Sequence, residues 1–141
     1  MIHFRRESSL ADPVAAYFNR KSYRFQEREL PFFDYRIDLY SFSRPSNMTV
    51  AVEFKLTNWR RAFEQSLIYQ LCADLVYIAM PAPFIHRVDL KLLSIHGIGL
   101  ISVAERPRCR QIIAPIQSRE VRSYYRNDIV EILQGDNLCL Q

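Results

Sequence analysis

Lysine is nearly missing from this chain: Lys21, Lys55 and Lys91 are the only three, and arginine supplies the rest of the 19 basic side chains. Long apolar runs are missing too. No stretch approaches the ~18 consecutive apolar residues of a membrane span, and the start, Met1 to Glu7, lacks the apolar run of a signal peptide. Cysteine is sparse. Cys72, Cys109 and Cys139 are scattered without metal-ligand spacing and read as reduced thiols, which excludes a disulfide scaffold and points to a cytoplasmic protein without a membrane partner. His3, His86 and His96 show no metal spacing either, and His96 reads as a turn residue. Repeats, low-complexity tracts and Gly/Ser linkers are absent, so the 141 residues form one domain.

What is present suits a packed core: 49% hydrophobic and 13% aromatic residues, with an ordinary 24% charged. A net charge of +4 permits nucleic-acid binding without requiring it. The arginine bias suits phosphate contact, and gene composition explains it equally well. Its firmer consequence is that a carboxylate-x-lysine in mid-strand is less expected by chance here.

Asp12-Pro13 reads as the cap and first turn of a helix whose buried face holds Val14, Tyr17 and Phe18. An extended segment from Ser22 to Leu30 ends at Pro31. A strand Tyr35–Tyr40 carries Asp38, a turn follows at Arg44–Asn47, and Met48–Leu56 alternates cleanly, so these two strands should form an antiparallel hairpin. Thr57 or Asn58 caps a helix from Trp59 to about Cys72. The apolar run Asp74–Met80 reads as a strand covered on both faces, joined to its predecessor by a crossover in the same sheet. An irregular or short helical stretch leads to Leu93, a turn at Gly97–Gly99, a strand Leu100–Val103 and an edge strand Cys109–Ala114. Ser118 caps a last helix with Val121, Tyr125, Ile129, Ile132 and Leu133 as its stripe and Gly135 as its stop. The order is α-β-β-β-α-β with a β-rich appendage and a closing helix, an α/β sandwich around a mixed sheet.

Along Met48–Leu56, Thr49, Ala51, Glu53 and Lys55 share one face, which sets Glu53 and Lys55 roughly 7 Å apart. Read alone, the pair is a salt bridge on a solvated strand. Asp38 adds a second carboxylate from the neighbouring strand. Gln65 and Tyr69 lie four apart on the following helix and share one of its stripes; read alone, Tyr69 is a core aromatic and Gln65 a boundary residue.

Together, Asp38, Glu53-Phe-Lys55 and Gln65-Ser-Leu-Ile-Tyr69 in this order of elements resemble the PD-(D/E)xK nuclease superfamily, in its RecB-like branch with a Q-x-x-x-Y motif. The segments Ala73–Pro81 and Gly97–Leu100 are similar to small members of that group. The resemblance covers residues 10 to 104, leaves 105 to 141 as a hairpin and helix appendage, and departs at Ile37, which stands in place of the family's proline. It implies a restriction-endonuclease-like core and a Mg²⁺-dependent deoxyribonuclease, with Mn²⁺ as substitute. Asp38, Glu53 and the Phe54 carbonyl are the implied metal ligands. Lys55 orients the attacking water, and Gln65 and Tyr69 support the site. This assignment suits the chemistry, because phosphodiester hydrolysis loads negative charge on the phosphoryl oxygens and a dication offsets it. One or two carboxylates are enough to hold Mg²⁺ there.

Glu29 stands where related nucleases place an auxiliary acid, with Glu27 as competitor. Two arginine groups offer phosphate contacts, Arg106, Arg108 and Arg110 on an extended segment and Arg119, Arg122 and Arg126 along the last helix. Solvated surfaces explain both equally well. The partner is DNA, in repair, recombination or defence, and so small a chain is expected to form a homodimer or join a helicase or recombination complex. Two alternatives stay open: a non-catalytic DNA- or protein-binding module on the same fold, and an RNA-acting nuclease.

Overall fold

The computed structural model describes residues 4–106 and 108–139, with side chains to 135; His3 and the side chain of Cys139 lie outside it. A 3-10 turn, Glu7–Leu10, leads into α1 (Ala11–Arg20). Then come β1 (Phe25–Phe32), β2 (Tyr35–Ser43), β3 (Met48–Phe54), α2 (Trp59–Tyr69), β4 (Leu75–Pro81), a 3-10 stretch Ala82–Arg87, α3 (Leu90–Ile95), β5 (Gly99–Ala104), β6 (Arg108–Ile113) and α4 (Ser123–Cys139). The strands form a six-stranded mixed sheet in sequence order. The outer pairs β1–β2, β2–β3 and β5–β6 are antiparallel, while β3, β4 and β5 run parallel and end at the same edge. The hairpin at Arg44–Asn47 and the strand–helix–strand crossover stand where the sequence places them.

Each face of the sheet buries its own core. Val50, Val52, Phe54, Tyr77, Ala79, Ile101 and Val103 meet Leu10, Val14 and Phe18 on the α1 side. Ala51, Ile78, Met80 and Leu100 meet Trp59, Ala62, Tyr69, Leu93 and Ile129 on the other. Fully burying each large apolar side chain contributes roughly 1.5–3 kcal/mol. With helices on both faces, β3 has no solvated side. Thr49 and Glu53, on the polar side of its alternation, are buried and must be hydrogen-bonded.

Several local expectations are corrected. Helix α1 begins before Asp12 and Leu10 occupies its N-cap, so Asp12 lies in the first turn and pairs with Arg28 instead. The buried stripe is Ala11, Val14, Ala15 and Phe18, with Tyr17 only half-buried. Pro31 lies inside β1, which tolerates it as an edge strand. Asn58 caps α2, accepting from Arg61 N, and the helix stops at Tyr69. Gly97, with φ of +73°, terminates α3: Ile98 N–H bonds to Leu93 O and Gly97 N–H to Ser94 O. Gly99 belongs to β5, where any Cβ would sit 2.7 Å from the Tyr77 ring. Ser118 does not cap α4, which starts at Ser123; its hydroxyl donates to Gln70 O. Gly135 lies within that helix, and Ile132 is exposed rather than on the buried stripe.

Candidate active site

The pleat of β2 slips by one residue at Asp38. Ile37 faces the α2 core and Leu39 the α1 core, although residues two apart on a regular strand share a face. Across the β1–β2 ladder the corresponding residue is Glu29, between the pairs Arg28–Leu39 and Leu30–Ile37, with φ of +53°. The β2–β3 ladder ends at Leu39–Val52, so the two strands part beyond that pair. The Asp38 carboxylate fills the gap and its Oδ2 accepts from Phe54 N–H at 2.7 Å. The next amide of β3, Lys55 N–H, bonds the other way, to Ala79 O of β4 at 3.2 Å. The backbone of Phe54 is therefore turned toward Asp38.

Glu53 is 3% exposed and surrounded by donors. The Tyr69 hydroxyl lies 2.8 Å from its Oε1 and 3.1 Å from Arg36 O. With the Gln65 amide nitrogen facing the carboxylate, Gln65 Nε2 donates to Oε2 at 3.0 Å. Lys55 Nζ lies 3.5 Å from the same Oε2 and 3.8 Å from Glu7 Oε1. Asp38, Glu53, Lys55, Gln65 and Tyr69 thus converge.

Burial, then the Asp38 charge, pushes Glu53 up to about 8, against the pull of Tyr69 and Lys55. Burial also raises Asp38, opposed by the Phe54 amide and the Lys55 charge, while Glu7 adds repulsion. Tyr69 is raised by burial and by the Glu53 charge and stays protonated. Its single O–H donates a hydrogen bond to Glu53 when that group is ionised. When Glu53 is protonated, the carboxyl donates to the Tyr69 oxygen and the Tyr69 O–H donates its hydrogen bond to Arg36 O.

An open groove of about 360 Å³ reaches Asp38, lined by Glu7, Ser8, Ala11, Arg28, Glu29, Asp38 and Phe54. Glu29 therefore belongs to the site's surroundings, while Glu27, paired with Tyr40 along β1, is not in the lining. Nothing in the sequence singles out Glu7. It lies 31 residues before Asp38, and only the packing of the 3-10 turn beside β3 brings it to Lys55. No spacing rule announces such a contact.

The arginines divide. Arg106, Arg108 and Arg110 are exposed, and Arg106 and Arg108 lie where β5 ends and β6 begins, at the sheet edge where β3 also ends. Arg119 and Arg122 are exposed beside the start of β4, where Ser118 N–H bonds Asp74 O and Arg122 N–H bonds Leu71 O. Arg126 is a correction: Nε donates to Asp74 Oδ2 at 2.9 Å and an Nη to Asn47 O at 2.7 Å, so it clamps α4 to the sheet. His96 caps the end of α3, with its ring against Phe63, as expected of a turn residue. Burial pushes Cys72 up to about 12 and Cys109 up to about 11, so neither is a thiolate at neutral pH.

No family model and no curated protein matches this chain. Among solved structures, the chain is similar to the SPO1766 protein of unknown function from Silicibacter pomeroyi, with a TM-score of 0.73 and 14% identity over 97% of this chain and 89% of that one. The likeness concerns the fold alone: an α/β architecture with a mixed sheet. Among the described residues, no helix is long and apolar enough to cross a membrane.

Proposed function

We propose that this chain is a divalent-metal-dependent nuclease that hydrolyses phosphodiester bonds of DNA, on a restriction-endonuclease-like core. The observation that carries the proposal is the meeting of Asp38 and Glu53 where β2 and β3 part, with Lys55 Nζ 3.5 Å from Glu53. A buried carboxylate whose proton affinity a neighbouring carboxylate raises further is a site waiting for positive charge. Their oxygens suit a hard cation. Among the described residues no three His, Cys, Asp or Glu side chains converge, but Mg²⁺ needs only one or two carboxylates and completes its shell with water.

Asp38 and Glu53 would hold the ion, with the Phe54 carbonyl beside them. When bound, the ion supplies Lewis-acid stabilisation of the charge that builds on the phosphoryl oxygens. The protein's own contribution is orientation. The Phe54 amide fixes Asp38, Tyr69 and Gln65 fix Glu53, and Lys55 holds an ammonium between Glu53 and Glu7 of the groove wall for the attacking water and the developing charge. Arg28, in the groove wall, and the exposed Arg106 and Arg108 provide phosphate contacts.

The test is cleavage of labelled duplex, single-stranded and branched DNA, and of matched RNA, with Mg²⁺, Mn²⁺ or EDTA. Metal-dependent products from wild type, absent from Asp38→Asn and Glu53→Gln, support the proposal. No product from any substrate removes it in favour of a binding module, and products from RNA alone reassign the substrate.

A further inference from the structure

Phe33 is an anomaly. It is the first residue of the two-residue loop between β1 and β2, with φ of +52°, a position that glycine ordinarily takes. A bulky side chain is rarely found in this left-handed region, and such backbone strain collects at functional sites. Burial does not compensate it, since Phe33 is 63% exposed. Its ring instead joins a surface cluster. The centroids of Phe33 and Tyr125 lie 5.3 Å apart, those of Tyr125 and Tyr124 4.3 Å apart, and Phe32 supports both Phe33 and Tyr125 from below. Tyr124 is 60% exposed, so the outer rings of the cluster face solvent.

The cluster adjoins the carboxylate site. Arg36, three residues after Phe33 and so at most about 11 Å away along the chain, contributes the carbonyl that meets the Tyr69 hydroxyl, and this hydroxyl also meets Glu53. The Tyr35 ring stands edge-on to Tyr69, centroids 6.4 Å apart. Arg122 is exposed beside the cluster, and its charge reaches Tyr125. Asp34, in the same turn, offsets part of that positive charge, so ring faces rather than phosphate attraction dominate the patch.

We propose that Phe33 and Tyr124, backed by Tyr125, form a platform on which unpaired bases of a nucleic-acid strand stack while its phosphates run toward Asp38 and Glu53. This rests on the nuclease reading and deepens it: the substrate class is single-stranded or locally opened nucleic acid. Free base faces exist only where a strand is unpaired. An aromatic ring accepts any base, so the platform selects strandedness and not sequence. Arg122 beside it holds the backbone.

The experiment uses the full chain in EDTA, so that no strand is cut, and measures fluorescence anisotropy with labelled oligothymidylate, an abasic strand of equal length and a blunt duplex. Wild type should prefer oligothymidylate to both others. Phe33→Ala and Tyr124→Ala should each weaken oligothymidylate binding by about 5- to 150-fold, the range for one stacked base, with the abasic strand scarcely affected. Phe33→Trp should retain affinity. Equal weakening on the abasic strand, or none at all, overturns the platform. So does a dimer in sedimentation that the alanine variants abolish without changing DNA affinity, which would assign the cluster to self-association. Metal-dependent cleavage by wild type together with unchanged binding in the variants would sink the platform and leave the nuclease standing. Stacking without any cleavage would do the reverse, and neither binding nor cleavage would end both.

Discussion

Glu53 holds its proton far above the usual carboxylate range, and that has a measurable sign. Its ordinary value is 4.5, and in the folded chain burial and the Asp38 charge carry it to about 8. Between those values the folded protein keeps a proton that the unfolded chain releases. The stabilisation is complete below about 4.5 and is lost as pH rises through 8. The metal-free protein should therefore melt at a lower temperature at pH 8 than at pH 5, and Glu53→Gln should flatten that slope. Scanning calorimetry in EDTA reads both; a slope unchanged in Glu53→Gln would assign the proton elsewhere. Lys55 acts on the same group in the opposite sense, since its charge lowers Glu53. Lys55→Ala should cut turnover on the order of 10²–10³, as removal of one preorganised electrostatic donor does, with DNA affinity much less affected. It should also move the rising limb of the pH–rate profile upward. Arginine should rescue poorly, because its fork places charge differently from an ammonium.

Among the elements, α4 is fixed by a part-buried polar clamp as well as by its apolar stripe of Tyr125, Ile129 and Leu133. Asp74 accepts from Thr49 N and Oγ1 at 2.8 and 2.9 Å and from Arg126 Nε at 2.9 Å. Removing Arg126 leaves the buried Asp74 carboxylate with Thr49 as donor but without its balancing charge. Arg126→Ala should cost roughly 3–5 kcal/mol in denaturant unfolding, the usual penalty for breaking a buried pair, whereas Arg122→Ala should cost little. In the sequence Arg126 is indistinguishable from Arg119 and Arg122, because their shared spacing tells neither that the helix starts only at Ser123, after both of them, nor what lies opposite. The same limit explains Ser118 and Gly135, whose local signals for a cap and a stop are overridden by packing. The strands around Asp38 and Glu53-x-Lys55 are legible because period-two alternation is strictly local. The slip at Asp38 is not, since it depends on how β1, β2 and β3 separate. Glu7 is hidden for the same reason.

For the whole molecule, the parallel strands β3, β4 and β5 end at one edge, so the open groove, Lys55, Arg106 and Arg108 lie along the same side of the sheet. On the proposed function, a nucleic acid entering there would meet the exposed Arg106 and Arg108 side chains along the same edge as the carboxylates. In an Asp38→Asn background, the triple variant of Arg106, Arg108 and Arg110 to alanine should reduce the slope of log affinity against log salt. The reduction should be about one unit for each phosphate no longer neutralised, with sequence preference unchanged. Replacing Arg119 and Arg122, which lie beside the start of β4, should change it less. An equal effect from both sets would mean a diffuse field and not a path.

The central claim is that Asp38 and Glu53 form one cation site, and titration calorimetry with Mn²⁺ tests it most directly. Wild type should bind Mn²⁺ with proton release, seen as a heat that varies with buffer ionisation enthalpy, and affinity should rise with pH toward 8, where Glu53 gives up its proton unaided. The folded double variant Asp38→Asn, Glu53→Gln should show neither the binding nor the proton. Undiminished Mn²⁺ affinity in that folded variant would contradict the account.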